Sequence, residues 1–247
     1  MIADPSILAV LAAAFIAATV GGFSGFGAGL VIIPPTSAIL GPTVAAAVFL
    51  VVGSTLMLPL VVRSLPLCRW KAILPAAATA TVSTPAGAWV LATGDPVAVR
   101  WGLCVLVLAL LALLVSPLRY RGEPPVAASL AVGGLSGVLN GIGQIAGPPI
   151  IVFWMNGPHP PQVLRANFIV YFSIISVSSI LAYAWNGLFT AEVMWLALLM
   201  APAYALGIYV GSRLFPLASP VTYRRLAYAI IALSALISVP ALDPIFR

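Results

Sequence analysis

Charged, histidine and cysteine side chains are all scarce in this chain. Only 6% of its 247 residues are Asp, Glu, Lys or Arg, and it contains one histidine and two cysteines. The few carboxylates lie near loops or ends of apolar runs, and His159 lies between prolines. These residues supply no acid/base pair, no metal-ligand cluster and no Ser-His-Asp set. We therefore predict that the protein is not an enzyme and has no catalytic residues, no metal and no cofactor.

The sequence also lacks a basic face of the kind that binds nucleic acid. The formal net charge is +6, but the 11 Lys and Arg residues are spread over short segments between apolar runs. Nucleic-acid binding requires basic residues that cluster on one face. Nucleic acid is therefore excluded as a partner, and the basic residues are better explained as signals that orient the chain in a membrane.

Long apolar runs make up most of the sequence. Hydrophobic residues account for 62% of the chain, and about 20 apolar residues in a helix cross a bilayer core of roughly 30 Å. The continuous apolarity favours helices over the alternating strands of a membrane barrel. We predict an all-α integral membrane protein whose main partner is the lipid bilayer. The charge-free runs are residues 5–62, 72–94, 101–118, 124–164, 166–191, 193–212 and 226–242.

The chain contains an internal repeat. Val20-Gly-Gly-Phe-Ser-Gly25 recurs as Val132-Gly-Gly-Leu-Ser-Gly137, with five identities in six positions. Further along, Gly41-Pro42 matches Gly157-Pro158, so the correspondence extends beyond one motif. We interpret the pattern as the duplication of one ancestral unit. The predicted units are residues 1–118 and 126–247, joined by a polar cytoplasmic linker at residues 119–125.

Each unit is predicted to begin with a long apolar stretch that glycines interrupt. These stretches, residues 6–40 and 126–156, exceed one crossing, and breaks near 21–29 and 133–149 divide them. We expect each stretch to form a helical hairpin, either fully crossing or re-entrant, so that the chain has 8–10 membrane segments. Three ordinary spans follow in each unit, at 43–62, 72–92 and 98–117 in the first and at 165–184, 193–212 and 223–240 in the second.

The positions of Lys and Arg predict the orientation of the chain. We place the N-terminus outside, let each hairpin return to its own side and let the other spans alternate. Nine of the 11 basic residues then lie on the cytoplasmic side, as membrane proteins prefer: Arg63, Arg69, Lys71, Arg119, Arg121, Arg165, Arg213, Arg224 and Arg225. The first unit begins outside and the second begins inside, so the two repeats are inverted, a plan that recurs among secondary transporters.

The glycine-rich breaks are the predicted substrate site. In transporters with inverted repeats the site lies near the midplane, at interrupted helices whose free N–H groups attract anions. Glycine permits close approach of a ligand, and Asn140 and Gln144 stand four residues apart, which places them on one helical face. The predicted substrate-binding residues are Ser24, Gly25, Gly27, Gly29, Ser136, Gly137, Asn140, Gly141, Gly143, Gln144 and Gly147.

Each of these residue types also has a purely structural explanation. Glycines allow helices to pack closely in membranes, and Ser, Asn and Gln side chains form hydrogen bonds between helices there. Arg165 has no basic counterpart in the first unit. It either extends to the membrane interface or contributes fixed positive charge to an anion path. The sequence leaves these alternatives open.

At the two breaks the sequence resembles the TauE/SafE family of sulfite exporters and related permeases, also called the TSUP family. Val20 to Pro35 and Val132 to Pro149 carry the resemblance, because in each a Gly-Gly-x-Ser-Gly helix leads into a glycine-rich segment and then proline. The resemblance implies movement of a small sulfur-containing anion, such as sulfite or an organosulfonate, across the bacterial inner membrane. The chain departs from the family's Gly-x-Gly-Gly-Gly run, with Gly27-Ala-Gly29 in one break and Gly143-Gln-Ile-Ala-Gly147 in the other.

The repeat and the resemblance together predict a secondary transporter in which access to a midplane site between the repeats alternates. The alternatives are an anion channel and a non-transporting membrane assembly subunit. We find no carboxylate or histidine in mid-span for a proton relay, which favours a sodium coupling ion or facilitated exchange. The sequence leaves open which anion is moved, in which direction, with which coupling ion, and whether the protein is a monomer or a homodimer.

Overall fold

A computed structural model describes residues 5–99, 101–102, 105, 109, 125–155 and 160–214 of the chain. Within these residues the chain is helical and contains no strand. The predicted span at 223–240, most of the span at 98–117 and nearly all of the linker at 119–125 lie outside the described residues.

Nine α-helices have both ends among the described residues, and a short 3-10 turn at Leu65–Leu67 follows the fourth. Helices are favoured because a polypeptide in lipid must satisfy its backbone hydrogen bonds internally. In chain order they are α1 Pro5–Ser24, α2 Ala28–Leu40, α3 Pro42–Leu56, α4 Leu58–Ser64, α5 Trp70–Thr93, α6 Val126–Gly143, α7 Gly147–Met155, α8 Pro161–Trp185 and α9 Ala191–Leu214.

The length and apolarity of these helices identify a multi-pass membrane protein. Among the described residues, α1, α6, α8 and α9 are each long and apolar enough to cross a membrane, and α3 with α4 makes a fifth crossing if the bent pair is one span. The predicted spans at 165–184 and 193–212 fall within α8 and α9. Helix α5 covers the predicted span at 72–92, but its many Thr, Ser, Gly and Pro residues leave it outside this apolar set.

The two glycine-rich breaks are shorter than the sequence predicts. Helix α1 continues to Ser24 and α6 continues to Gly143, so the residues that separate consecutive helices are only 25–27 and 144–146. Gly25 and Gly27 have positive φ angles of 79° and 83°, a conformation that glycine adopts without a steric penalty. The other glycines of the two stretches stay helical because a helix satisfies their backbone groups in lipid.

Helices α2 and α7 are too short to cross a bilayer. With 13 and 9 residues they are about 20 Å and about 14 Å long, against a hydrocarbon core of roughly 30 Å. Helix α2 contacts α1, and α7 contacts α6, each across a break of three residues.

The predicted span at 43–62 is bent rather than straight. Helices α3 and α4 meet at Met57 with an angle of 52° between them. Pro59 lies two residues after this point and has no N–H with which to continue the α-helical ladder. The Met57 N–H bonds to the Gly53 carbonyl at 3.2 Å. The Met57 carbonyl in turn accepts hydrogen bonds from the N–H groups of Leu60 and Val61, at 2.9 and 3.0 Å. Proline is thus the sequence signal for the bend.

Helices α5 and α6 pack closely and run parallel. A Cβ added to Gly133 would overlap the backbone of Ala76, and one added to Gly137 would overlap that of Ala80. The numbers rise together on the two helices, which defines the parallel direction. The Ser83 hydroxyl donates a hydrogen bond to the Gly134 carbonyl at 2.7 Å. These contacts are the small-residue packing that brings membrane helices together.

Helices α1 and α9 form a second pair of the same kind. A Cβ on Gly207 would overlap the backbone at Phe15, and one on Gly211 would overlap that at Thr19. These helices also run parallel. The first helix of each predicted unit thus packs against a helix of the other unit.

Helix α8 lies beside α5 and runs in the same direction. The Asn167 Oδ1 atom accepts a hydrogen bond of 2.8 Å from the Arg69 N–H at the start of α5. Further along, the Ser178 hydroxyl donates to the Thr81 carbonyl at 2.7 Å. The residue numbers rise together on α5 and α8, which defines the parallel direction.

Candidate functional site

A cavity of about 330 Å³ lies between the two breaks. The first break contributes residues 25–30 and the second contributes residues 144–147. Side chains of α3 and of the middle of α8 complete the wall, and Tyr204 of α9 closes one side. Of the predicted substrate-binding residues, those that line this cavity are Gly25, Gly27, Gly29, Asn140, Gln144 and Gly147.

The two breaks meet at Gly29 and Gln144. A Cβ added to Gly29 would overlap the carbonyl oxygen of Gln144 and would lie 3.3 Å from the Phe49 ring. Gln144 has a positive φ of 57° and is the sole residue other than glycine with a positive φ in the described part of the chain. Such a conformation is uncommon for a residue with a side chain. It turns the chain out of α6 at the point where the breaks touch.

The first break presents backbone N–H groups to the cavity. The first intrahelical bond of α2 runs from the Val31 N–H to the Gly27 carbonyl at 3.3 Å. The N–H groups of Ala28, Gly29 and Leu30 therefore have no acceptor within the helix, and all three residues line the cavity. The N-terminus of a helix carries a partial positive charge that attracts anions.

The second break presents side-chain amides instead. Helix α7 begins Gly147-Pro148-Pro149, and two of these three residues have no N–H to offer. Asn140 and Gln144 line the cavity at this end, and their side chains are buried. The first break therefore contributes backbone N–H donors, whereas Asn140 contributes a side-chain amide beside the second break.

Hydrogen bonds to α8 hold the two amides in place. The Asn140 Nδ2 atom donates to the Ser179 hydroxyl at 2.6 Å. The Gln144 Nε2 atom donates to the Asn140 carbonyl at 3.0 Å and to the Tyr183 hydroxyl at 3.3 Å. The Tyr183 hydroxyl donates to the Gly141 carbonyl at 2.8 Å. Bonds between helices of this kind fix side-chain positions in a membrane interior.

Ser24 and Ser136 support the breaks without lining the cavity. The Ser24 hydroxyl accepts the Phe26 N–H at 3.1 Å and lies 2.7 Å from the Val20 carbonyl, so it stabilises the turn after α1. The Ser136 hydroxyl donates to the Ala146 carbonyl at 2.7 Å and accepts from the Tyr171 hydroxyl at 2.8 Å. Each serine therefore stabilises one break without lining the cavity.

Three predicted site glycines lie elsewhere. Gly137 and Gly141 face α5, where added Cβ atoms would overlap the backbone of Ala80 and of Thr84. Their role in the structure is the close helix packing that the sequence left as the alternative. Gly143 is buried at the end of α6 and is not among the residues that line the cavity.

Arg165 lies beside the first break rather than in the cavity wall. Its Nη2 atom donates to the Gly22 carbonyl at 2.6 Å, near the C-terminal end of α1. A cation at this end of a helix is favourable because the free carbonyls carry partial negative charge. A Cβ on Gly25 would lie 3.2 Å from the Arg165 Cγ atom. The side chain thus anchors α8 to the break.

Several cavity residues were not singled out in the sequence. Phe49 and Tyr204 line the cavity and contact each other edge to face, with ring centroids 6.2 Å apart. Ser54 also lines it, and its buried Oγ atom has no hydrogen-bond partner among the described residues. Ser173 and Ser176 line it as well, but their hydroxyls donate to carbonyls of their own helix. Only contacts across the fold distinguish these serines, so local sequence carries no signal for them.

Among the described residues, the cavity wall contains neither a charged side chain nor a metal site. Its lining residues are glycine, apolar, aromatic, hydroxyl or amide residues. No group of three or more His, Cys, Asp or Glu side chains comes together among the described residues. The arrangement can bind a small anion through uncharged donors.

Comparison with known proteins points to a family of membrane exporters. A family model described as "Sulfite exporter TauE/SafE" matches residues 10–237 of the chain. A protein of Cupriavidus necator named "Probable sulfite/organosulfonate exporter TauE" is 31% identical over 233 residues, which cover 89% of each chain. No solved structure matches the chain significantly.

Proposed function

The chain belongs to the TauE/SafE family, and we propose that it is a secondary transporter for sulfite, an organosulfonate or another small sulfur-containing anion. Family membership makes it a membrane transport protein and not an enzyme. The substrate class follows the family and the name of the Cupriavidus relative. We place the protein in the bacterial inner membrane, with its N-terminus outside.

One observation supports the site most strongly: the two breaks line one cavity and touch each other at Gly29 and Gln144. A membrane anchor or an assembly subunit has no need for two interrupted helices around a common space. Irregular backbone at membrane depth is tolerated where it lines a cavity. The contact therefore favours a substrate site over a purely structural role.

The donors around the cavity are those that a small oxyanion requires. Backbone N–H groups at the start of α2 attract negative charge, and the Asn140 Nδ2 atom beside the second break has a second N–H in addition to the one donated to Ser179. Ser54 also lines the cavity, and its hydroxyl has no hydrogen-bond partner among the described residues. Uncharged donors hold an anion less tightly than arginine would, and a transporter has to release its substrate on the far side.

Helix directions support inverted repeats. Helix α8 runs parallel to α5, and only residues 186–190 separate α8 from α9, so α9 runs back in the opposite direction. Because α1 follows the direction of α9 and α6 follows that of α5, the first helices of the two units are antiparallel. This relation agrees with the Lys and Arg distribution, in which the two units begin on opposite sides.

The proposed mechanism is alternating access. The two breaks bind the anion between them, and relative movement of the two halves exposes the cavity first to one side and then to the other. The bend between α3 and α4 lies in the cavity wall, since Gly53, Met57 and Leu58 all line it. A bent span with glycine and proline is a natural place for such movement.

Flux through the purified protein tests the proposal. The full chain is reconstituted in liposomes and loaded with sulfite or with a short organosulfonate, and efflux is measured against protein-free liposomes. The proposal predicts saturable efflux that decreases when Asn140 is replaced by Ala. If neither sulfite nor any small sulfonate crosses, and Asn140→Ala leaves substrate binding unchanged, the proposal is wrong.

A further inference from the structure

The fold places the positive and negative side chains of the described residues at opposite ends. Arg69 and Lys71 lie at the start of α5, and Asp95 follows its end. Because α9 runs opposite to α5, Glu192 in its first turn lies at the same end as Asp95, and Arg213 in its last turn lies at the other end. The described carboxylates are therefore too far from the start of α5 to pair with the basic side chains there.

Three basic residues lie within nine consecutive positions, in what we call the basic segment, Arg63–Lys71. The segment comprises the end of α4, the 3-10 turn and the start of α5. The side chains of Arg63, Arg69 and Lys71 are all exposed. The short chain between Arg63 and Arg69 keeps their Cα atoms within about 20 Å, so the three long side chains form one positive patch.

Contacts with α8 hold the basic segment in a defined shape. Helix α4 and the 3-10 turn both contact α8. Asn167 of α8 is fully buried, and its Oδ1 atom accepts the Arg69 N–H at 2.8 Å. Within the segment, the Cys68 N–H bonds to the Leu65 carbonyl at 3.3 Å. Charges on a backbone that is already ordered lose less freedom when they bind a partner.

The stability of α5 does not explain these charges. Positive side chains are unfavourable at the start of a helix, where the backbone already carries partial positive charge. Arg69 nevertheless precedes the first residue of α5, Lys71 follows that residue, and the first turn contains no acidic residue. The positive charges therefore suit an external anion better than they suit the helix.

Exposed apolar side chains alternate with the charges and indicate what kind of anion fits. Leu65, Leu67 and Trp70 are exposed by 40%, 52% and 44%, and tryptophan is typical of the level at which lipid head groups meet water. A free phosphate ion would leave these side chains uncovered. A phospholipid covers them with its acyl chains, while its phosphate accepts hydrogen bonds from the basic groups.

We infer that the basic segment binds an anionic phospholipid, with its head group at Arg63, Arg69 and Lys71 and its acyl chains beside Leu67 and Trp70. In the proposed orientation the lipid belongs to the cytoplasmic leaflet, whose anionic lipids attract basic residues next to membrane helices. No residue of the segment lines the cavity between the two breaks. The lipid site is therefore separate from the proposed substrate site.

Lipid titration of the purified full chain tests this inference. The protein in a neutral detergent is titrated with phosphatidylglycerol, with phosphatidylcholine and with inorganic phosphate, and its melting temperature is followed. We expect a saturable rise with phosphatidylglycerol alone. Arg63→Gln, Arg69→Gln and Lys71→Gln should each weaken the apparent lipid affinity by about fivefold, as for one basic residue at an anionic surface. An equal rise with phosphatidylcholine or with inorganic phosphate overturns the inference.

Arg213→Gln is the matched control. It removes the same charge at the same end of the helices, but Arg213 lies outside the basic segment, with its guanidinium 5.1 Å from the centroid of the Tyr209 ring. The phosphatidylglycerol affinity of this variant should not change. Equal losses in Arg213→Gln and Arg69→Gln overturn the inference, because net charge and not the basic segment would then attract the lipid. These outcomes do not depend on sulfonate flux, so they are distinct from a failure of the transporter proposal.

Discussion

Gly29 lies against the carbonyl oxygen of Gln144, so closely that a Cβ on the glycine would overlap that oxygen. The two residues are 115 positions apart in the sequence and belong to different predicted units. Their contact joins the two interrupted helices, and the cavity begins beside it. The absence of a side chain at Gly29 is therefore a requirement of the contact between the two breaks and not of local backbone geometry, since Gly29 is helical and has no positive φ.

Gly29→Ala is predicted to impair transport strongly. The added methyl group must push the Gln144 carbonyl away, which separates the two breaks and displaces the donors of α2. We expect flux to fall by about tenfold or more, since misplacement by 1 Å has effects of this size. Liposome flux measures the effect. The matched control Gly134→Ala has open space around its Cβ and should transport normally; equal losses in both variants would contradict the prediction.

Asn140→Asp is predicted to be more harmful than Asn140→Ala. Alanine removes one donor and the bond to Ser179, and we expect binding to weaken by about tenfold, as for the loss of one hydrogen bond to a charged group. Aspartate adds a negative charge in a cavity of low dielectric constant, where like charges repel strongly. Calorimetric titration with a sulfonate measures both variants. If Asp is tolerated as well as Ala, the substrate at this position is not an anion.

Ser54→Ala is predicted to weaken substrate binding without weakening the fold. The Ser54 hydroxyl is buried and has no partner among the described residues, so its removal breaks no hydrogen bond with any of them. We expect the melting temperature to stay the same or rise and the substrate Kd to increase by about fivefold or more, as for loss of one bond to an anion. Thermal unfolding and calorimetry measure the two quantities. In the control Ser64→Ala the lost hydroxyl bonds within its own helix and the residue does not line the cavity, so the Kd should not change.

Gly137→Ala is predicted to act through stability. The added Cβ overlaps the backbone of Ala80, so α5 and α6 must move apart and lose packing that costs about 1–3 kcal/mol to disturb. Gly137 does not line the cavity, and the substrate Kd of the folded fraction should stay unchanged. Thermal unfolding with and without substrate separates the two effects. A lower substrate affinity at unchanged thermal stability would contradict the prediction and indicate that Gly137 belongs to the substrate site.

The sequence predicts the helical membrane fold because continuous apolar runs in lipid favour helices over the alternating strands of a barrel. It also points to the region of the candidate site, since the glycines at 25, 27 and 29 mark the first break and line the cavity. It overestimates the length of the second break. Gly133 to Gly143 look like an interruption in sequence, but in lipid the helix retains its hydrogen bonds and the glycines serve packing against α5.

Local sequence does not identify the residues of the cavity wall. Phe49, Ser54 and Tyr204 are ordinary residues of apolar spans, and only the contact between distant helices brings them to the breaks. The bend between α3 and α4 has a visible cause in Pro59, although the apolar pattern alone predicts a single span at 43–62. The different donors of the two breaks follow from Pro148 and Pro149, which remove the N–H groups that the repeat would otherwise supply twice.

Exchange across the membrane tests the central claim most directly. Liposomes that contain the reconstituted protein are given a labelled sulfonate outside, with or without an excess of the same unlabelled sulfonate inside. A transporter whose single site between the two breaks alternates its access predicts that internal substrate accelerates labelled uptake, and that Gly29→Ala abolishes this acceleration. Uptake that is independent of internal substrate and does not saturate would identify a channel, and uptake equal to that of protein-free liposomes would contradict transport altogether.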